Sequence, residues 1–182
     1  MNRSFLILFF IFAFALLPQW GNAQIFTTHA EENRMGENYY YGKNVPKDYV
    51  QALSWYRKAA EGGNAEGQYN VGYMYEHGYG TNKNTEEAIK WFQLSASQGY
   101  SASMYSLGVI YEYGKGVAKN LAAAEAWYAK GAQKGNASCM NNLGIFYKNG
   151  YGVQRDYIRA KALFEEAITL NDKHATNWLL PE

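Results

Sequence analysis

Residues 107–120 read LGVIYEYGKGVAKN, and similar stretches occur at 71–84 (VGYMYEHGYGTNKN) and 143–156 (LGIFYKNGYGVQRD). The three stretches begin 36 residues apart. A glycine recurs in register at Gly72, Gly108 and Gly144, and a tyrosine recurs at Tyr75, Tyr111 and Tyr147. A second glycine recurs at Gly80, Gly116 and Gly152. The same spacing at several positions is the sequence signature of a repeat protein.

The 36-residue period continues on both sides of these stretches. Alanine recurs at Ala52, Ala88, Ala124 and Ala160, followed three residues later by Trp55, Trp91, Trp127 and Leu163. One period before Gly72 lies Gly36, which indicates a degenerate first unit. One period after Leu143 lies Leu179, which indicates a truncated unit at the other end. We therefore predict a capping half-repeat at 173–182, because terminal repeats must cover an open end. It follows four full repeats at 29–64, 65–100, 101–136 and 137–172.

Each repeat is predicted to contain two helices. In the second repeat, small and apolar side chains at helical spacing indicate helices over 65–77 and 85–97. Gly78 and Gly80 end the first helix, because glycine readily adopts the left-handed cap conformation. The N-cap residues of the second helices are predicted to be Asp48, Asn84, Asn120 and Asp156. The fold class is thus an all-α solenoid of about four helix pairs with a C-terminal capping helix.

The first 23 residues have the pattern of a secretory signal peptide. Arg3 is followed by an apolar run from Phe5 to Leu17, and small residues precede Gln24. The run is shorter than the roughly 20 residues that a membrane span needs. We expect cleavage after residue 23, a short extension at 24–28 and export to a bacterial periplasm. An uncleaved signal anchor is the alternative.

The repeat motifs resemble the Sel-one-like repeat family. The resemblance rests on Leu143-Gly144, Tyr147, Gly150-Tyr151-Gly152-Val153 and the stretch 160–164, and it covers about residues 29–180. It implies a right-handed superhelix related to tetratricopeptide repeats, and a scaffold that binds protein partners. A cysteine-rich exported subset is associated with β-lactam binding or hydrolysis. That subset carries paired cysteines, whereas this chain has only Cys139.

Composition argues against several other functions. The chain has 17 basic and 16 acidic residues, whereas nucleic-acid binders usually carry a basic patch. Loss of Arg3 with the signal peptide would leave 16 of each. Three histidines and one cysteine are too scattered for a zinc cluster, so no metal or cofactor is predicted. Cys139 occupies a position filled by Gly67 and Ser103 in other repeats, which favours a buried, inert thiol. The recurring tryptophans are interpreted as core.

Tyrosines on the first helices are the candidate binding residues. Some recur in every repeat, but others share one helical face without recurring. By analogy with tetratricopeptide repeats, this face lines a groove, and tyrosine is common in binding hot spots. The alternative is that these rings only pack between neighbouring helices. The predicted partner groove contains Tyr69, Tyr73, Glu76, Tyr105, Glu112, Tyr113 and Asn141.

The sequence predicts a non-enzymatic, exported interaction module that binds a protein. It would serve as an immunity protein that blocks a toxin, or as a regulator that docks on a sensor. No nucleic acid or stable membrane anchor is expected after signal cleavage. The alternative is a β-lactam- or cell-wall-directed hydrolase, which would need a nucleophile or a metal site that the sequence does not reveal.

Protein recovered after export in a bacterial host should begin at Gln24, because the small residues before it suit signal peptidase. N-terminal sequencing of the purified protein measures this directly. Recovery of a chain that retains Met1 and partitions with membranes would instead support the signal anchor.

Overall fold

Eight helices make up the part of the chain that the structure describes. The structure is a computed structural model that describes residues 17–170, with side chains from Thr28 onward. Within that range it contains no strand, which confirms an all-α repeat solenoid. The helices are α1 (Leu17–Tyr41), α2 (Tyr49–Glu61), α3 (Ala65–His77), α4 (Thr85–Ser97), α5 (Ser101–Tyr113), α6 (Leu121–Gln133), α7 (Ala137–Asn149) and α8 (Tyr157–Thr169).

The helices form two rows. The first helices of successive repeats (α1, α3, α5 and α7) are neighbours, as the hydrogen bond from Asn70 Nδ2 to Asn33 Oδ1 shows at 2.9 Å. The second helices (α2, α4, α6 and α8) are neighbours in the other row. Trp91 of α4, for example, packs against a core cluster that α2 and α3 form together, with Leu53 from α2 and Val71 from α3. Each row therefore presents its own face to solvent.

Side-chain caps and left-handed glycines set the helix ends, as the sequence predicted. Asp48, Asn84, Asn120 and Asp156 each accept a backbone N–H bond at the start of a second helix. Gly78 ends α3 with φ +73°, a conformation that costs glycine little. Two first helices also have side-chain caps that we did not predict, from Asn64 and Asn136.

A glycine of the first helix packs against an aromatic ring of the second helix in every repeat. A Cβ atom added at Gly72 would lie 2.7 Å from Cδ1 of Phe92, and one added at Gly144 would lie 2.6 Å from Cε1 of Phe164. Both rings are buried. Close approach of the two helices thus needs a residue without a side chain at this position. The four pairs are Gly36–Tyr56, Gly72–Phe92, Gly108–Tyr128 and Gly144–Phe164.

The tryptophans are less central than we expected. Trp55, Trp91 and Trp127 are only partly buried, and the Lys58 and Lys130 ammonium groups lie 4.0 and 4.3 Å from the rings of Trp55 and Trp127. Consecutive helical positions point about 100° apart, so only the residue after each tryptophan faces the glycine. Trp91 and Trp127 instead pack against core clusters to which both the preceding repeat and their own repeat contribute. These tryptophans connect neighbouring repeats and do not fill the interior of a single helix pair.

Both predicted terminal features extend outside the described residues. Of the predicted signal peptide, residues 1–16 lie outside, and residues 17–23 belong to α1. The predicted capping half-repeat at 173–182 lies entirely outside. Among the helices described, none is both long and apolar enough to cross a bilayer.

Small residues pack against each other where the second helix of one repeat meets the first helix of the following repeat. A Cβ added at Gly67 would lie 2.9 Å from Ala59 Cβ, and one added at Gly131 would collide with the Cys139 sulfur. Between these two contacts in sequence, the hydroxyl of Ser103 donates to that of Ser95 at 2.7 Å. The larger partner thus lies on the first helix in one contact and on the second helix in another.

Burial explains the chemistry of Cys139. The side chain is fully buried, and this burial raises the pKa of the thiol to about 12. The protonated form therefore dominates through neutral and moderately alkaline pH. As the sequence predicted, Cys139 is a buried packing residue whose thiol is held in the unreactive form.

Gly131→Ala should destabilise the wild-type protein by about 1 kcal/mol, because overpacking against Cys139 outweighs the helix-propensity gain of alanine. In a Cys139→Gly background the same change should stabilise by up to about 1 kcal/mol, since it recreates the Ala59–Gly67 contact. Urea unfolding of the four proteins measures this cycle. Additive effects would show that the contact does not limit packing.

The Cys139 thiol should resist Ellman's reagent at pH 8, with a labelling rate below about one hundredth of that of an exposed thiol. Ser138→Cys supplies the matched control, because its side chain is exposed one residue away. Unfolding in urea should make both thiols react at similar rates. Fast labelling of the folded wild type would contradict the burial of Cys139.

Candidate functional site

Tyr69 and Tyr73 lie together on α3, within a group of aromatic rings that continues into the first repeat and, in the other direction, to Tyr100 at the end of the second repeat. Their ring centroids are 6.3 Å apart. Tyr73 is 6.4 Å from Tyr40 of α1, and Tyr69 is 5.4 Å from Tyr100 before α5. We call this group the tyrosine cluster; it comprises Tyr40, Tyr41, Tyr49, Tyr69, Tyr73, His77, Tyr79 and Tyr100.

The tyrosine cluster encloses part of a cavity of about 240 Å³ between α1 and α3. Tyr69 and Tyr73 are half-buried there, so their rings both pack against neighbours and remain partly open to solvent. The two interpretations that the sequence left open, packing and binding, are therefore compatible. The cavity is lined by Tyr40, Tyr41, Tyr56, Tyr69, Asn70, Tyr73 and Met74.

Part of the tyrosine cluster could not be anticipated from helical faces. Tyr79 lies in the loop between the two glycines that end α3, and its ring stacks on Tyr49 of α2 at 4.7 Å. The His77 ring stacks between Tyr73 and Tyr79, at 4.1 and 5.4 Å. The sequence offers one signal for the role of Tyr79. It is a large aromatic residue between two glycines, at a position where most turns have small or polar residues.

Glu112 and Tyr113 line a second cavity, of about 560 Å³, between α5 and α7. The Tyr128 hydroxyl donates to Glu112 Oε2 at 2.6 Å, and burial together with this carboxylate raises the pKa of Tyr128. Tyr113 is 66% exposed, and the Glu112 carboxylate raises its pKa. The lining residues are Glu112, Tyr113, Lys119, Leu121, Asn142, Ile145, Phe146, Asn149 and Tyr151.

The remaining predicted groove residues have other surroundings. Glu76 is paired with Lys115 Nζ at 3.4 Å, which links the second repeat to the loop after α5. Tyr105 packs against the core, with its ring 6.2 Å from that of Tyr128. Asn141 is only 7% exposed, and its Oδ1 has no donor within the described residues. Of the predicted residues, Tyr69 and Tyr73 line one cavity, and Glu112 and Tyr113 line another. Glu76, Tyr105 and Asn141 line neither of these two cavities.

The described side chains include aromatic rings that are suited to binding. Among residues 28–170, no three His, Cys, Asp or Glu side chains are placed to hold a metal ion. Cys139 is buried and its thiol is protonated, so it is unsuited to act as a nucleophile. Rigid tyrosine rings, by contrast, offer large contact areas that cost little entropy on binding.

Solved structures of bacterial repeat proteins are similar to this chain. A Sel1 repeat protein from Oxalobacter formigenes is 35% identical with a TM-score of 0.79, over 83% of this chain and 62% of that one. The uropathogenic Escherichia coli protective antigen c5321, which displays an SLR fold, is 37% identical with a TM-score of 0.77, over 81% and 32%. The cysteine rich protein B of Helicobacter pylori is 25% identical with a TM-score of 0.60, over 76% and 99%.

The chain thus spans about 62% and 32% of the lengths of the first two proteins. Among curated protein sequences no match is found. The Sel1 repeat profile matches residues 32–64, 65–100, 101–136 and 137–172, which follow one another without a gap. This chain therefore belongs to the Sel1 repeat family, whose members are generally protein–protein interaction scaffolds.

Proposed function

We propose that this protein is an exported binding module that engages a protein partner through the face formed by α1, α3, α5 and α7. The observation that carries the proposal is the tyrosine cluster with its adjoining cavity. Because Tyr40, Tyr73 and His77 already hold one another in place, a partner would meet rings that need little further ordering. Such preorganisation lowers the entropic cost of association.

The two cavities on this face suit different groups of a partner. The cavity near Tyr73 is almost entirely aromatic, whereas the one near Glu112 combines Lys119, Asn142 and Asn149 with apolar Ile145. An extended segment or a folded domain that spans both would be recognised at two chemically distinct points. Specificity would then come from the combination rather than from either cavity alone.

Export to a bacterial periplasm is part of the proposal and rests on residues 1–23. In that compartment the module would act by stoichiometric binding, either as an immunity protein that blocks a toxin or as a regulator that docks on a sensor domain. The buried, protonated Cys139 does not favour the hydrolase alternative.

Tyr113→Ala and Tyr73→Ala should each weaken partner binding at least tenfold, or by about 1.4 kcal/mol, because aromatic rings at the centre of an interface carry much of its energy. Affinity purification from a periplasmic extract identifies the partner, and surface plasmon resonance then measures Kd. Tyr157→Ala is the matched control, since Tyr157 is 61% exposed on α8 in the other row.

Circular dichroism establishes that each variant is folded, and Tyr113 is exposed enough for its removal to leave the core intact. The proposal would be refuted if Tyr113→Ala and Tyr73→Ala both left the affinity for the partner unchanged, or if only Tyr157→Ala reduced it. Either result would place the binding surface elsewhere.

A further inference from the structure

Asn141 of α7 has a buried side-chain oxygen without a hydrogen-bond donor among the described residues. The residue is 7% exposed, and its Oδ1 accepts no hydrogen bond there. Because an unpaired buried oxygen destabilises a folded protein, nearly all such atoms are paired in native structures. The donor to Asn141 is therefore expected to come from outside residues 28–170, either from another part of this chain or from a partner.

The first repeat shows how this position is paired. Asn33 lies three periods before Asn141, is also buried, and accepts a hydrogen bond at Oδ1 from Nδ2 of Asn70 at 2.9 Å. The second and third repeats have tyrosine at this position. The donor to Asn33 belongs to the next first helix, 37 residues further along the chain. The same step from Asn141 leads to Trp178, which lies outside the described residues. An indole Nε1–H can only donate, so it suits an amide oxygen.

Small-residue contacts between repeats indicate the same segment. Each described contact joins a second helix to a residue eight positions later, on the next first helix. The fully buried Ala167 of α8 is the next member of this series, and eight positions after it stands Ala175. Contact between these two alanines would continue the series at the same spacing. The described contacts are Ala59–Gly67, Ser95–Ser103 and Gly131–Cys139.

A cap residue and a core residue also recur in this segment. Asn136 accepts a backbone N–H bond at the start of α7, and Asp172 stands one period later. Aspartate caps helices about as well as asparagine does. Leu143 is buried in the core, and Leu179 stands one period after it. Residues 172–179 thus have a cap, a small residue, a donor and an apolar residue in the positions of a first helix.

We propose that residues 173–180 dock against α7 and α8 as about two turns of a further first helix. In this arrangement the Trp178 Nε1–H donates to Asn141 Oδ1, and Ala175 packs against Ala167. The side of α7 that bears Asn141 is then covered by the protein's own chain, and the partner-binding face ends at this segment. The inference is independent of the proposed function, because it rests only on contacts between repeats.

Ala167→Cys combined with Ala175→Cys tests the position of the segment. The equivalent hydroxyls of Ser95 and Ser103 are 2.7 Å apart, so two cysteines at this contact are close enough for a disulfide. After oxidation the introduced thiols should be paired within one chain, and Cys139 should be the one thiol that reacts with Ellman's reagent in urea.

Ala167→Cys combined with His174→Cys is the matched control for the disulfide. The residue equivalent to His174 in α7 is Ser138, which is exposed, so a cysteine at 174 should point away from α8 and stay unpaired. Circular dichroism establishes that both double variants are folded. Disulfide-linked dimers of the Ala175→Cys protein would assign the surface to a second copy, and unpaired thiols in it would mean that the segment does not dock there. Either result overturns the inference.

Exchange of the Trp178 indole N–H with heavy water tests the hydrogen bond in the full chain without introduced thiols. NMR follows the exchange, and the resonance is identified by its absence from Trp178→Phe. The N–H should exchange at least about tenfold more slowly than in the urea-unfolded chain, because a buried, bonded proton exchanges only when its contact opens.

Asn141→Ala should remove this protection of the Trp178 indole, since it deletes the acceptor. Asn149→Ala is the control on the same helix, because its side chain is partly exposed and it should leave the exchange rate unchanged. An indole N–H that exchanges as fast in the folded protein as in urea, or protection that survives in Asn141→Ala, would show that Trp178 is not the donor to Asn141.

Discussion

The contact between a glycine and an aromatic ring within each helix pair is the constraint on which this structure depends. Gly72 against Phe92 and Gly108 against Tyr128 bring the two helices close enough to bury both rings almost completely. A Cβ atom at either glycine would force the helices apart. Since the contact recurs every 36 residues, each repeat has the same internal geometry. The two rows of helices follow from stacking such units.

This repeated interior leaves the surface of the first helices free to differ between repeats. One position there is occupied in turn by Glu37, Tyr73, Val109 and Ile145. Because the backbone beneath them is equivalent, the differences appear as local chemistry: a mainly aromatic cavity between α1 and α3, and a mixed polar and apolar one between α5 and α7. Binding specificity in such a scaffold comes from side chains on a shared framework.

Much of the fold could be predicted from the periodic residues, whereas less of the candidate site could be predicted from them. The bounds of α3 and α4 and the second-helix caps were predicted correctly, because capping and left-handed glycines are local properties of the chain. The roles of Trp91 and Asn141 were harder, since spacing gives a side chain's direction but not its neighbours. Trp91 packs where two neighbouring repeats meet, and Asn141 is buried.

By itself the sequence determined the number of repeats, their period, the bounds of α3 and α4, the second-helix caps and the family, because each depends on short-range residue types repeated in register. Only the tertiary structure decided how the tyrosines are grouped. Tyr40, Tyr49, Tyr73 and Tyr79 come from two first helices, a second helix and a loop, and they meet only because the repeats stack. The cavity lined by Tyr41 and Tyr69 exists for the same reason: its walls come from different repeats, whose contacts no local pattern encodes.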